Sequence, residues 1–377
     1  MRFVAALCTL LLCACTPAAG RPSAQPSPSA TGSATSTSLQ AFVPVAEKFV
    51  EEHRGLKFKT PVQVTFLADA EFQRELAKSG SVDATAYATE AKELRALGLL
   101  DGRPDLGRAE RELLGSSVIG FYDPKAKQLF VRGVEAKPAV RHVLIHELTH
   151  ALQDQWFSID RTPSTEDESD IAFRTLVEGD AVRVENQYIA SLSEAEQRQV
   201  RLGDAGGPVP ADVPEVLVEL DSFPYVVGPQ FTQAIVDQSG QARLDAAFRS
   251  PPTTTAQVIH PDLFLAGRGP AAVDFPAADG KEIDKGVLGE LGLDLLLQRL
   301  TSRGRVSSSD AQTIAAGWGG DRYIAWDQGS ESCVRTRFVM SSDRATRALL
   351  AALRSFARDH PGTTVEGRGP ILFTACA

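Results

Sequence analysis

Histidine is scarce in this chain, 6 residues in 377, and so is methionine, with 2. Scarcity makes any clustering of imidazoles informative. A basic run is absent as well. With 39 Lys+Arg against 48 Asp+Glu and a formal net charge of −9, nothing supplies the positive footprint that a nucleic-acid phosphate backbone requires, so nucleic acid is excluded as a partner. No internal repeat appears. The 43% hydrophobic fraction allows a sizeable buried core. Cysteine numbers only 5, and three of these, Cys8, Cys13 and Cys15, crowd into the first residues.

Met1-Arg2 and the apolar stretch Phe3 to Leu12 have the charged start and the length of a secretory signal. The stretch is too short to span a bilayer permanently. Leu12-Cys13-Ala14-Cys15 resembles a bacterial lipobox with Cys15 as the lipidated first mature residue. That resemblance implies a signal over residues 1–14, a membrane partner reached through lipid on Cys15, and an extracytoplasmic place in the cell envelope. Residues 15–39 follow as a tether. From Thr16 to Leu39 the chain is rich in Ser, Thr, Pro, Gly and Ala with Arg21 as its one charge, a composition that buries no core and spans roughly 25–30 Å as a coil. Cys333 and Cys376 remain as an even pair, expected to form a disulfide in an oxidising envelope.

The chemistry concentrates in His146-Glu147-Leu148-Thr149-His150. On a helix, residues four apart share a face, so both imidazoles can bind one metal ion while Glu147 flanks them within reach of a bound water. Pro138 suits a first helical turn, and Val140, Val143, Leu144, Leu148, Ala151 and Leu152 recur at helical spacing, predicting one buried helix from Pro138 to Phe157. His142 extends the stripe by a turn, and is assigned to packing or to support of the ligands. A catalytic zinc takes three protein ligands and leaves a fourth position open. The next helical stretch, Ile171 to Asn186, offers Glu178 or Asp180. Glu178 shares a face with Ile171, Thr175 and Val182 and is favoured, although spacing alone does not exclude Asp180.

Together, His146 to Asp154 and Val177-Glu178-Gly179-Asp180-Ala181 resemble the active-site helix and third-ligand segment of gluzincin metallopeptidases. The two stretches cover a small part of the chain. The resemblance implies a zincin-like core, one catalytic zinc on His146, His150 and Glu178, Glu147 as general base, and hydrolysis of a peptide or protein substrate. It departs from the family in the 27 residues between His150 and Glu178, and in Val182, which stands where many gluzincins place an aspartate that orients a ligand histidine. Asp154 or Asp180 is then the expected acceptor of that ring N–H. The family also employs a Tyr or His to stabilise the developing oxyanion, and the candidates are Tyr225, in Phe223-Pro224-Tyr225-Val226-Val227-Gly228, and His260, in a loop from Ser250 to Pro261. Both stand where a turn is the plainer expectation.

The expected fold is α+β, a small mixed sheet with an active-site helix and a third-ligand helix. A helix is expected over Phe42–His53, a strand over Val62–Leu67, helical stretches through Leu114, and a β-hairpin from Ser117 to Val131 whose edge strand could pair with an extended peptide. Helices are expected over Ser193–Leu202 and Ala234–Phe248. The metallopeptidase core is assigned to residues 40–284. Residues 285–377 form a C-terminal α+β unit with helices Val287–Leu300, Asp310–Ala316 and Ala345–His360 and a strand Cys333–Met340. Gly317 to Tyr323 is expected to turn. Two other functions fit the same residues: an envelope lipoprotein using a zincin fold as a binding module, and a zinc hydrolase of a non-peptide amide or ester, since one activated water serves each.

Overall fold

Ser38 Oγ accepts the Ala41 N–H and so caps the first helix, α1 (Leu39–Arg54), which Gly55 closes in the left-handed conformation with φ 76°. The computed structural model describes residues 38–79, 83–161, 167–203 and 209–377. The signal, Cys15 and the tether as far as residue 37 lie outside the described residues. Folded structure begins slightly earlier than the composition implied, because Leu39, assigned to the tether, is buried against Phe42, Val43 and the helix that carries the histidines.

The first sheet is small and mixed. Strand β1 (Gln63–Leu67) runs parallel to β3 (Gln128–Arg132), with Val64 opposite Leu129. Helices α2 (Asp69–Ser79), α3 (Ala84–Ala96) and α4 (Leu106–Ser117) form the connection between β1 and β2 (Gly120–Asp123). Strand β2 then pairs antiparallel with β3, with Phe121 opposite Phe130, and it forms the sheet's edge in the order β1-β3-β2. The Asp123 side chain accepts the N–H groups of Lys125 and Ala126, which tightens the hairpin turn.

Helix α5 (Pro138–Phe157) matches its expected bounds, and every residue from His142 to Asp154 is buried. One flank, through Leu144, Ile145, Leu148 and Leu152, packs on α1 and the small sheet. The other meets α6 (Asp167–Ser191), followed by α7 (Glu194–Gly203). Helix α8 (Glu215–Ser239) is a correction: Phe223 to Gly228 continues through Pro224 and Pro229 as helix and makes no turn. Each proline lacks a donor, but packing of Leu217, Leu220, Phe223, Phe231 and Ile235 in the core outweighs the lost bonds. After α9 (Gln241–Arg249), the expected loop from Ser250 contains two short helices, α10 (Thr255–Ile259) and α11 (Pro261–Leu265).

The C-terminal residues build a five-stranded antiparallel sheet in the order β4-β5-β6-β8-β7, from β4 (Lys281–Gly286), β5 (Trp318–Gln328), β6 (Glu331–Met340), β7 (Thr364–Gly367) and β8 (Ile371–Cys376). Gly317 to Tyr323 is the second correction, since Trp318 onward is the start of a long strand whose partner is β6. Helices α12 (Gly289–Ser302), α13 (Ser308–Ala315) and α14 (Asp343–Asp359) accompany the sheet. The division at residue 284 falls inside β4. One apolar cluster includes Phe72, Leu94, Leu176, Phe231, Leu296 and Phe338, so both sides of that division contribute to a common core. Cys333 and Cys376 face each other in the β6–β8 register and are joined by a disulfide. The architecture is thus α+β. No described helix is long and apolar enough to cross a membrane.

Candidate metal centre

Helix α5 stacks His146 and His150 one turn apart, and α6 brings Glu178 against them. The Nε2 atoms of the two histidines are 2.9 Å apart, and Glu178 Oε2 lies 3.3 Å from His146 Nε2 and 3.2 Å from His150 Nε2. Among the described residues this is the one group of three or more His, Cys, Asp or Glu able to hold a metal ion, and all three are buried. Four ligands tetrahedrally placed at about 2.0–2.1 Å from zinc are separated from one another by roughly 3.3 Å. The three atoms therefore form one face of such a tetrahedron.

The far side of each imidazole fixes its tautomer. His146 Nδ1 is 2.9 Å from Glu185 Oε2, and a carboxylate can only accept, so Nδ1 donates. His150 Nδ1 is 3.0 Å from Gln153 Oε1. Gln153 Nε2 donates to Val177 O and to Asp180 Oδ2, which orients the amide so that its oxygen faces the ring. With both Nδ1 atoms donating, the rings when neutral would point bare Nε2 lone pairs at Glu178. Three electron pairs converging in a buried space repel unless a cation sits among them. Burial opposes a charge on His146, yet hydrogen bonds to Glu178 and Glu185 and the charges of Glu185 and Glu147 lift it to about 10. Burial likewise opposes ionisation of Glu178, and the two imidazoles outweigh it, holding the carboxyl far below its usual range. Proton or metal ion, the site calls for positive charge.

Glu147 projects to one side of this group. Its Oε2 accepts the Tyr122 backbone N–H at 2.8 Å, which ties the motif to edge strand β2. Space for that approach comes from Gly120, where a Cβ would lie 3.5 Å from Glu147 Cγ and 3.1 Å from Val143 Cγ1. Tyr225 also reaches the centre. Its ring centroid lies 6.3 Å from that of His146, and the Arg174 guanidinium carbon is 5.9 Å from the same tyrosine ring. Burial, with the nearby Glu178 charge, raises the Tyr225 hydroxyl well above its ordinary value, so it stays a donor.

The structure brings together His146, Glu147, His150, Glu178 and Tyr225. His260 is elsewhere: it lies between α10 and α11 with its Nε2 2.8 Å from Glu290 Oε1. Among the described residues nothing ties it to the three ligands. Asp180 is not part of this group. It accepts from Arg54 Nε at 2.6 Å and Arg183 Nη2 at 2.9 Å, and it reaches His150 only through Gln153. Asp154 accepts from the Tyr122 hydroxyl at 2.7 Å and from Lys127 at 2.6 Å. Neither aspartate takes a ring N–H: Asp180 is held by Arg54, Arg183 and Gln153, and Asp154 by Tyr122 and Lys127.

The acceptor that sequence reasoning missed is Glu185. Seven residues beyond Glu178 is two turns of helix, so both carboxylates share a face of α6. Glu185 also accepts from His142 Nδ1 at 2.5 Å, so one carboxylate holds two rings of α5. The signal was available: Val182 leaves the position one turn after Glu178 without a polar group, and the matching acid stands one turn further on. Gln153, three residues past His150, carried no comparable signal.

With this geometry in hand, the chain can be set beside known families. DUF8575, a domain of unknown function, matches residues 236–374. The matched segment runs from late in α8 into β8, less than half of the chain, and it contains neither the histidine motif nor Glu178. No curated protein and no solved structure matches.

Proposed function

We propose that this chain is a zinc-dependent peptidase of the gluzincin type, with a zincin-like core, working outside the cytoplasm on peptide or protein substrates. The observation that carries the reading is the convergence of three ligand atoms at tetrahedral spacing, with Glu147, a buried carboxylate, beside them on the same helix. Edge strand β2 borders the same motif and favours an extended peptide. The Cys333–Cys376 disulfide favours an oxidising compartment, in keeping with lipid on Cys15.

His146, His150 and Glu178 would hold the zinc, which when bound lowers the pKa of a water and polarises a carbonyl. Glu147 lies on the same helix surface as the histidines, so its carboxylate takes the proton released in hydrolysis and returns it to the leaving amine. The Tyr225 hydroxyl, kept neutral, donates toward the oxygen on which charge develops. Glu185 and Gln153 hold the rings in the tautomer that bares Nε2. Main-chain groups of β2 align the substrate.

The direct experiment compares wild type and Glu147→Gln at equal zinc occupancy against a diverse peptide mixture. The amide is nearly isosteric and cannot accept the proton, so cleavage should fall about 10²–10⁴-fold with zinc retained. Equal rates, or no cleavage by the zinc-loaded wild type, would reject the peptidase reading.

A further inference from the structure

Next to the metal centre, one turn back along α6 and α8, lies a small cavity whose chemistry is one-sided. Tyr87, Glu90, Glu110, Asp170, Arg174 and Asp221 are among its walls, with Leu217, Leu220 and Pro224 completing them. Asp221 and Glu110 both lie near the one guanidinium of the lining, that of Arg174. Arg174 is spent on Asp221 Oδ1, 2.8 Å away. Asp221 is 5% exposed, and its second oxygen, Oδ2, has no hydrogen-bond partner. A buried carboxylate oxygen left without a donor costs stability unless something supplies one. Burial and the Asp221 charge, opposed by Arg174, raise Glu110 to about 7.

Two residues of the cavity wall stand one turn from residues of the site. Arg174 precedes the ligand Glu178 by one turn of α6, and Asp221 precedes Tyr225 by one turn of α8. Arg174 also lies against the Tyr225 ring. The free volume is about 40 Å³, room for about three water-sized groups at roughly 10–15 Å³ each. That suits an ammonium and is small for a guanidinium fork.

We infer that this cavity receives a primary ammonium of the substrate, with the side chain of a lysine beside the scissile bond as its source, held by Asp221, Glu110 and Glu90. The apolar walls, Leu217 and Leu220, take the last methylenes of the side chain while its charged end meets the carboxylates. This inference rests on the peptidase reading and adds the substrate class.

The test uses the zinc-loaded full chain and peptides that differ at one residue, Lys, norleucine or Nε-acetyl-lysine, each with a free or an acetylated amino terminus. Cleavage beside lysine should exceed that beside norleucine by about 100-fold in kcat/KM, as expected for a buried, hydrogen-bonded charge pair. Asp221→Asn and, should that variant fold poorly, Glu110→Gln should each reduce the lysine preference at least about tenfold while norleucine peptides change little. A requirement for a free amino terminus, with no lysine preference, would assign the same ammonium chemistry to a terminal amine and overturn the lysine assignment. Equal cleavage of all peptides would overturn the cavity's role and leave the peptidase reading standing. If zinc-loaded protein cleaves nothing, the peptidase reading fails. The cavity is then judged by calorimetry on Glu147→Gln: tighter binding of lysine than of norleucine peptides supports it, and equal binding overturns it.

Discussion

At the scale of single residues, the roles of two acids on α6 separate cleanly. Glu178 faces the imidazoles, whereas Asp180, two residues on, faces Arg54 and Arg183. Glu178→Ala should therefore abolish stoichiometric zinc while the fold persists, as measured by elemental analysis and circular dichroism. Asp180→Ala should bind zinc but lose stability by about 3–5 kcal/mol, since it removes the buried carboxylate of Arg183 and leaves Arg54 with Asp245 alone. The reverse pattern would reject the ligand assignment. Glu185→Gln tests the support of the rings. An amide oxygen can still accept from one histidine, but the charge that holds two of them is gone, and zinc affinity should fall about 10–100-fold in a competition titration. Unchanged affinity would mean that Glu185 serves only packing.

Helices α6 and α8 set the site at the scale of elements, and they do so by touching backbones. A Cβ on Gly228 would lie 2.5 Å from Thr175 O and 2.7 Å from the Gly179 Cα, and a methyl on Gly179 would fall within the Gly228 backbone. This close crossing lets Glu178, next to one glycine, and Tyr225, three residues before the other, approach a common point. Thr232 Oγ1 adds a hydrogen bond to Gly179 O at 3.1 Å. Gly179→Ala should force the helices apart and cost about 1–3 kcal/mol or more, seen in denaturant unfolding. On the proposed roles, zinc affinity and cleavage should drop with it, because Glu178 and Tyr225 move apart. A variant as stable and active as wild type would show that the crossing is not what positions the site.

For the whole molecule, two features tie distant parts of the chain together. The disulfide closes a separation of 43 residues across β6 and β8, and replacing both cysteines with serine should lower unfolding free energy by about 2–4 kcal/mol. The second is Glu168 at the start of α6, whose Oε1 accepts from Thr255 N at 2.6 Å and Thr255 Oγ1 at 2.7 Å. Burial, aided by the Asp321 and Glu290 charges and opposed by the Thr255 bonds, raises this carboxyl from 4.5 to about 8. The folded chain thus holds a proton that the unfolded chain releases. Its contribution is fully present below about pH 4.5 and is lost as pH rises toward 8. Unfolding free energy of wild type minus Glu168→Gln should therefore decline across that window, by up to about 1.4 kcal/mol per pH unit. A flat difference would remove Glu168 as a source of pH dependence.

Local order along the chain determined the motif helix, the hairpin before it, the first strand and the pairing partners among cysteines, because each depends on residues a few positions apart or on the parity of a small count. The spacing of His146, Glu147 and His150 needs only helix geometry. Tertiary structure alone decided the rest. Leu220 and Phe231 kept α8 helical through two prolines that read as a turn, and the partner β6 drew Gly317 to Tyr323 toward a strand. The choice of Glu178 and the displacement of the ring acceptor to Glu185 depend on which face of α6 meets α5, and the approach of Tyr225 and Asp221 depends on where α6 and α8 cross, at Gly179 and Gly228. That contact is set by backbone approach between residues 49 positions apart, and no local pattern in either helix records it.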